Sequence, residues 1–389
     1  MDSDTKTNIQ KLNAAWKEQV TKALGLGSSF KLAQGSLGLQ TTDSSGLFQM
    51  ADAIPPNTDL YDASSVSTFS GGYKMLLQAL LAEQGKDLAA YLGDNYINWI
   101  TYRNNYFNAN PNSEESQETV FKRFANQRLD PQSVPGALSA YQKQAQSPLN
   151  IALDAVRKAS NYQQFTSTSG QVTTLPVYAP TLANAKIQVN EGGGPFTIDF
   201  DSTEAQKTLT QAQINGAASG FWNIFKGGVQ GSFDKLNTKA ATSGFSIKGR
   251  INKMATLSVT RGNWYSDGEY KRGFNAKGDA SVWDSQSNAG GWDTFFKLPD
   301  GALARRVSQL VLVSDYEFTV TSNATYSQEE YQQIKTSATF GIWPFFSGSA
   351  STTHTTDVKQ SSSGHLVTTY KLDKGLFEIW GATVQDAPN

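Results

Sequence analysis

Apolar residues change their spacing along this chain near residue 160. Before that point they recur every three or four positions, the period of a helix face. Ile9, Leu12, Trp16, Val20 and Ala23 fall on one such face, with Asp4 as its N-cap and Gly25 closing it. After a Gly/Ser/Pro-rich stretch over about 26–70, the run "YKMLLQALLAEQGKDLAAYLGDNYINWITYRNNYF" (73–107) predicts one or two well-buried helices. "SEESQETVFKRFANQRL" (113–129) puts Val120, Phe121, Phe124 and Ala125 on one side. In "SPLNIALDAVRKAS" (147–160), Ser147 is the cap and Pro148 the first helical residue.

Residues 161–183 carry turn residues without a period and read as a linker or edge segment. Alternation with a period of two follows, as in a half-buried strand. Phe196, Ile198 and Phe200 alternate with Thr197, Asp199 and Asp201. "GFSIKGRINKMATLSVT" (244–260) predicts a strand through Phe245, Ile247 and Ile251, then Ala255, Leu257 and Val259, with a bulge near Lys253. "VSQLVLVSDYEFTVTS" (307–322) and "GHLVTTYKLDKGLFEIWGATV" (364–384) complete four long strands. The pattern predicts an α+β protein: a helical N-terminal domain over 1–160 and a mainly antiparallel β-rich domain over 184–389.

The strands repeat. Sliding 196–259 by 120 residues onto 316–379 aligns strand with strand, and nine of the 64 positions are identical, among them Ser202/Ser322, Phe225/Phe345, Lys239/Lys359 and Gly244/Gly364. A degenerate strand–insertion–strand duplication accounts for this order. Each insertion is expected to begin as a helix, the second with Ser327 and Glu330 as a capping box. Each also holds an aromatic knot beside a Gly/Ser tract: "SGFWNIFKGGVQGSF" (219–233) and "TFGIWPFFSGSAS" (339–351).

Composition narrows the chemistry. Charged residues make up 17% of 389 and the net charge is −1, so nucleic acid is not expected as a partner. With no cysteine, disulfides and thiolate chemistry are excluded. The opening "MDSDTKTNIQ" has no basic region followed by an apolar core, and no run approaches eighteen apolar residues. The expectation is a cytoplasmic protein as synthesised, open to release or signal-free secretion.

No metal, nucleotide or other cofactor signature stands out. His354 and His365 are the two histidines; in an extended segment His354 and Asp357 face opposite sides, which disfavours a shared metal. Asp199 and Asp201 share one strand face, and Glu317 lies in the repeat-equivalent strand; together they are the candidate acid/base set. "DGEY" (267–270) reads as a turn, and "NEGGGPF" (190–196) as a turn opening a strand rather than a phosphate cradle. In the knots, Phe225 and Phe345 suit a core. Phe221, Trp222, Ile342, Trp343 and Phe346 suit contact with a membrane or partner, since Trp and Phe favour a boundary between water and an apolar phase. The polar tract over 347–363, with Val358 as its one large apolar residue, is expected to bury little.

Long strands with two matched insertions, near 204–242 and 324–362, resemble the central sheet of membrane-attack-complex/perforin-type pore formers. The resemblance is one of architecture, over roughly 184–385; the text nearest the family motif is "GGWDTFF" (290–296), and no site residue follows from it. It implies insertions that refold into membrane-spanning hairpins. The leading expectation is a non-catalytic, toxin-like or self-assembling protein that meets a membrane, a glycan or its own copies, with a homo-oligomer included. The alternative is an enzyme using carboxylates in an interdomain cleft on a carbohydrate or hydrophobic small molecule.

Overall fold

The computed structural model describes residues 3–33, 44–55, 60–61, 67–81, 85–110, 113, 115–145, 147–166, 170–208, 225–227, 234–285, 287, 289–340 and 354–387. Helix α1 (Ser3–Ala23) buries Trp16 and Val20 of the expected stripe, and Gly25 ends it with φ 65. It starts at Ser3, so Asp4 lies inside the first turn rather than capping it. The Gly/Ser/Pro-rich stretch is structured in part, by β1 (Phe30–Ala33), α2 (Ser45–Asp52) and β2 (Leu60–Tyr61). Three helices then form where one or two were expected: α3 (Phe69–Ala79), α4 (Gly85–Leu92) and α5 (Asn95–Ala109). One break is at Leu80, which turns extended and bridges to Trp283; the other is at Gly93, with φ 54.

Helix α6 (Gln117–Arg128) buries Val120, Phe121, Phe124 and Ala125 as their spacing requires. Helix α7 (Val134–Ala145) precedes α8 (Pro148–Ala155), whose cap Ser147 accepts from the Asn150 amide. In the 161–183 segment, expected as a linker or edge segment, β3 (Tyr162–Thr166) pairs antiparallel with β4 (Val172–Pro176) as a two-stranded hairpin, and α9 (Leu182–Glu191) follows. Within that hairpin only Phe165 and Pro176 are buried, which leaves no apolar period to read.

The remaining elements are β5 (Phe196–Asp201), α10 (Ser202–Thr208), β6 (Phe225–Gly227), α11 (Asp234–Ser243), β7 (Phe245–Ser258), α12 (Asp267–Asn275), α13 (Trp292–Phe296), β8 (Arg305–Thr325), α14 (Gln328–Ser337), β9 (Ala338–Phe340), β10 (His354–Gln360) and β11 (His365–Asp386). The "DGEY" turn is instead the first turn of α12. Ser266 caps it and Asp267 and Glu269 suit its positive end.

The chain forms an α+β fold with two compact units that interleave in sequence. One comprises 1–66, 180–259 and 307–385; the other comprises 67–179, 260–306 and 386–389. In the first unit the sheet order is β2-β1-β11-β8-β7-β5, with β10 also paired to β11. The described ladders are antiparallel except the short β1–β2 pair. Of the four long strands expected, β7, β8 and β11 run 14, 21 and 22 residues, whereas β5 has only six.

Burial alternates where one face of the sheet meets helices. Ile198, Phe200, Phe245, Ile247, Phe318 and Val320 pack in one cluster with Trp16 and Val20 of α1, Leu236 and Ala240 of α11, and Ile334 of α14. Trp16 meets Phe200 edge-on, with ring centroids 5.3 Å apart. Lower in the sheet, Leu310–Ser314 and Phe377–Ala382 are buried at consecutive positions, so both faces are covered there.

The bulge expected near Lys253 is absent. Positions 245, 247, 251, 255 and 257 are buried in a single phase, and the β7–β8 ladder keeps one register from Phe245↔Ser322 to Ser258↔Gln309. The irregularity lies on the neighbouring strand, at Asp315, with φ 50. Asp tolerates this left-handed conformation, whereas a β-branched residue does not.

The second unit is mainly helical. Trp99, Phe121, Phe124 and Tyr141 centre one cluster, with Phe121 and Tyr141 stacked at 4.2 Å. A second aromatic group gathers Phe69, Tyr73 and Tyr178 around the fully buried Trp264.

Asp315→Val is expected to lower stability by about 1–2 kcal/mol, and Asp315→Gly to be close to neutral. Urea denaturation of the two variants beside the parent measures this. Equal losses would mean that the Asp315 side chain, not its backbone conformation, sets the cost.

Candidate functional site

Both insertions leave the sheet at the same end, because β7 runs antiparallel to both β5 and β8. The first runs from Ser202 to Gly244, the second from about Tyr326 to Gly364. Their closing glycines match: Gly244 has φ 82 and Gly364 has φ 81, and each precedes a long strand. Each carbonyl is taken at or just past the end of β8: the Asn323 amide donates to Gly244 O (2.9 Å), and the Tyr326 amide to Gly364 O (2.8 Å). Ser202 Oγ accepts from the Phe245 amide at 2.8 Å, tying the entry of the first insertion to its exit.

Past these ends the two insertions diverge. Residues 234–243 form α11, whereas the equivalent 354–360 form β10, paired to β11 from His354↔Leu372 to Gln360↔Leu366. The polar tract is therefore structured over that part. The aligned lysines take different partners: Lys239 reaches Glu330 (2.8 Å), and Lys359 reaches Asp357 (2.6 Å).

Helix α14 opens with the expected capping box: Ser327 Oγ accepts from the Glu330 amide (3.1 Å), and Glu330 Oε2 from the Ser327 amide (2.8 Å). Lys239 of α11 bonds the same carboxylate and lies 5.1 Å from the Tyr326 ring centroid. The Lys239 hydrogen bond, more than the capping amide, holds the Glu330 carboxyl below its ordinary value. This pair joins one insertion to the other.

A second link is made by backbone. β6 and β9 form a two-stranded antiparallel ladder: Phe225↔Phe340, Lys226↔Thr339 and Gly227↔Ala338. Antiparallel pairing sets the start of β6 beside the end of β9. Those are the ends from which the chain continues to Trp222 and to Trp343. Phe221, Trp222, Ile342, Trp343 and Phe346 themselves lie outside the described residues, as does Phe345.

The candidate acids share one solvated sheet face. Asp199 pairs with Lys248 at 3.5 Å, and the two side chains are 64% and 68% exposed. Asp201 instead caps α10, accepting from the amides of Thr203 (2.8 Å) and Glu204 and from the Thr203 hydroxyl. Glu317 stands opposite Arg250 in the ladder, two strands from Asp199, and lines a shallow groove of about 530 Å³ with Lys248, Arg250, Asp315 and Lys371. Basic side chains thus separate the acids.

His354 lies on β10, and His365 Nδ1 is 3.2 Å from the Ala324 carbonyl; among the described residues no group of His, Asp and Glu could hold a metal. The glycine run is a close-approach turn, since a Cβ on Gly192 or Gly194 would meet the backbone of Met254 or Asn252. Among the described residues no helix is long and apolar enough to cross a membrane.

Gly244→Ala is expected to cost more than Gly364→Ala. Both force a left-handed alanine, at about 1–2 kcal/mol. At Gly244 the new Cβ would also come within 2.6 Å of Thr203 Cγ2, whereas at Gly364 its nearest neighbour is 3.5 Å away. Thermal melts of the two variants decide it; equal shifts would contradict the crowding at Gly244. Glu330→Gln is expected to lose about 0.5–1 kcal/mol near neutral pH. Because the folded carboxyl is depressed, this difference is present above the ordinary value of 4.5 and vanishes as pH falls through the lower folded value. Urea midpoints between pH 3 and 7 test it, and a constant difference would refute it.

No protein-family model matches the chain, and neither curated proteins nor solved structures give a significant match.

Proposed function

We propose that this is a non-catalytic, toxin-like protein whose two insertions contact a membrane surface as one patch. The observation that carries the reading is the β6–β9 ladder, because it joins the two insertions at the strand ends that lead to the aromatic knots. Trp and Phe gain most where one side of the ring is apolar and the other wet. Two knots delivered together double the apolar area available for a single contact, which is what reversible surface binding needs. The meander β5–β7–β8–β11, with one insertion inside each hairpin, also has the layout of the pore formers that the sequence resembles. Assembly of several copies at the surface, after release or signal-free secretion, belongs to the same reading. Carboxylate catalysis is the weaker reading, since Asp199 is paired to Lys248 and Asp201 serves as a cap.

The test is tryptophan fluorescence with neutral and anionic liposomes, read together with release of an entrapped dye. Eight tryptophans share the signal, so Trp222→Phe and Trp343→Phe are run beside the parent. The expected result is a blue shift that shrinks in each variant and is smallest in the double variant, with dye release as the sign of pore formation. A blue shift that both variants retain in full, or no shift at all, would overturn the membrane reading.

A further inference from the structure

The second unit holds a groove of about 610 Å³, within the size range of small-ligand sites. Its floor comes from one short stretch, where α8 ends and turns through a single 3₁₀ turn (Ala159–Asn161) into the β3 strand. Asp154, Arg157 and Asn161 supply that floor, and each is fixed in place.

Arg157 is 9% exposed; its Nη1 donates to the Leu153 carbonyl (2.9 Å), and its guanidinium lies 3.6 Å from the Phe107 ring centroid. Its Nε is buried with no hydrogen-bond partner. Burial first, and the neighbouring Arg103 second, push its ionisation down to about 10, which marks a cation with too few acceptors around it. Asn161, 8% exposed, donates from Nδ2 to the Ala155 carbonyl at 2.8 Å. Asp154 accepts from the Gln117 amide at 3.2 Å, one of roughly four hydrogen bonds that a carboxylate can take. Its burial raises it above the ordinary carboxyl value.

The rim differs in character. Lys158, Ser160 and Asn263 are exposed, and Ile151, 60% exposed, adds a bare aliphatic surface. Charge on the lining balances: Arg157 and Lys158 against Asp154 and Glu115. Glu115 is already engaged, by Arg123 at 2.8 and 2.9 Å and by the Tyr106 hydroxyl at 2.7 Å.

A ligand suited to this groove must be uncharged, must donate and accept hydrogen bonds at adjacent positions, and must present one small apolar face. A phosphate-bearing ligand would bring its negative charge against the Asp154 carboxylate in the groove. A flat heterocycle lacks an aromatic wall among the lining residues. A pyranose meets all three demands, because vicinal hydroxyls donate to Asp154 while accepting from Arg157 or an amide, and its C–H face lies on aliphatic carbon. We propose that this groove binds a neutral sugar residue, making the second unit a glycan-recognition module.

Saturation-transfer NMR on the full chain tests the proposal, with methyl glycosides of glucose, galactose, mannose and N-acetylglucosamine as probes, and glucuronate and inorganic phosphate as charged controls. At least one neutral glycoside is expected to bind. Asp154→Asn should weaken it about 5–10-fold, the effect of spoiling one hydrogen bond to a fixed polar group. Ala159→Trp, on the exposed rim, should abolish binding by filling the groove while the thermal melt stays unchanged. Absence of binding by every neutral glycoside, binding of the charged probes alone, or binding that survives Ala159→Trp would overturn the proposal. The liposome result is independent, since it is read from Trp222 and Trp343 and the glycoside result from Asp154 and Ala159.

Discussion

Backbone hydrogen bonds between β7 and β8 hold one register along the full length of β7, and both insertions are hung from one end of that ladder. Each strand of the pair has its own partner outside it, β5 on one side and β11 on the other. A slip of one residue would send Phe245, Ile247 and Ile251 into water and turn Lys248 and Arg250 into the cluster around Trp16. The cost of that exchange fixes the register, and the register fixes where Gly244 and Tyr326 emerge. The candidate site is therefore positioned by burial on the far face of the sheet.

From that end, two kinds of link join the insertions. One is the three-residue β6–β9 ladder, the other the Lys239–Glu330 pair. Neither is strong by its own magnitude: a half-exposed ion pair contributes little, and an isolated two-stranded ribbon is marginal. The proposed glycan groove is of the opposite kind, with Arg157 and Asn161 locked by short bonds to nearby carbonyls.

The two aligned halves show how far likeness of sequence carries. Gly244 and Gly364 keep nearly the same φ because a left-handed turn into a strand demands glycine. Lys239 and Lys359 are equally aligned, yet one sits on a helix and the other on a strand. A side chain on a polar segment is free to take whichever partner the local fold provides. The first insertion's α11 covers the sheet with Leu236 and Ala240, whereas β10 extends the sheet through its own backbone.

Local rules were legible in the sequence wherever the physical cause was local. The stripe of Trp16 and Val20, the Ser147–Pro148 start, the Ser327/Glu330 capping box and the alternation at Phe196–Phe200 all follow from spacing within a turn or a pleat. The β3–β4 hairpin escaped because it buries almost nothing, and the α3–α5 breaks escaped because Leu80 and Gly93 sit inside an unbroken apolar run. Only the tertiary structure decided which distant residues meet. Phe225 and Phe340 pair, Lys239 finds Glu330, and Ser116, Arg157 and Asn263 line one groove, across separations that no period or cap encodes. Those contacts are the outcome of packing many elements at once, and a one-dimensional pattern records only which face each element must hide.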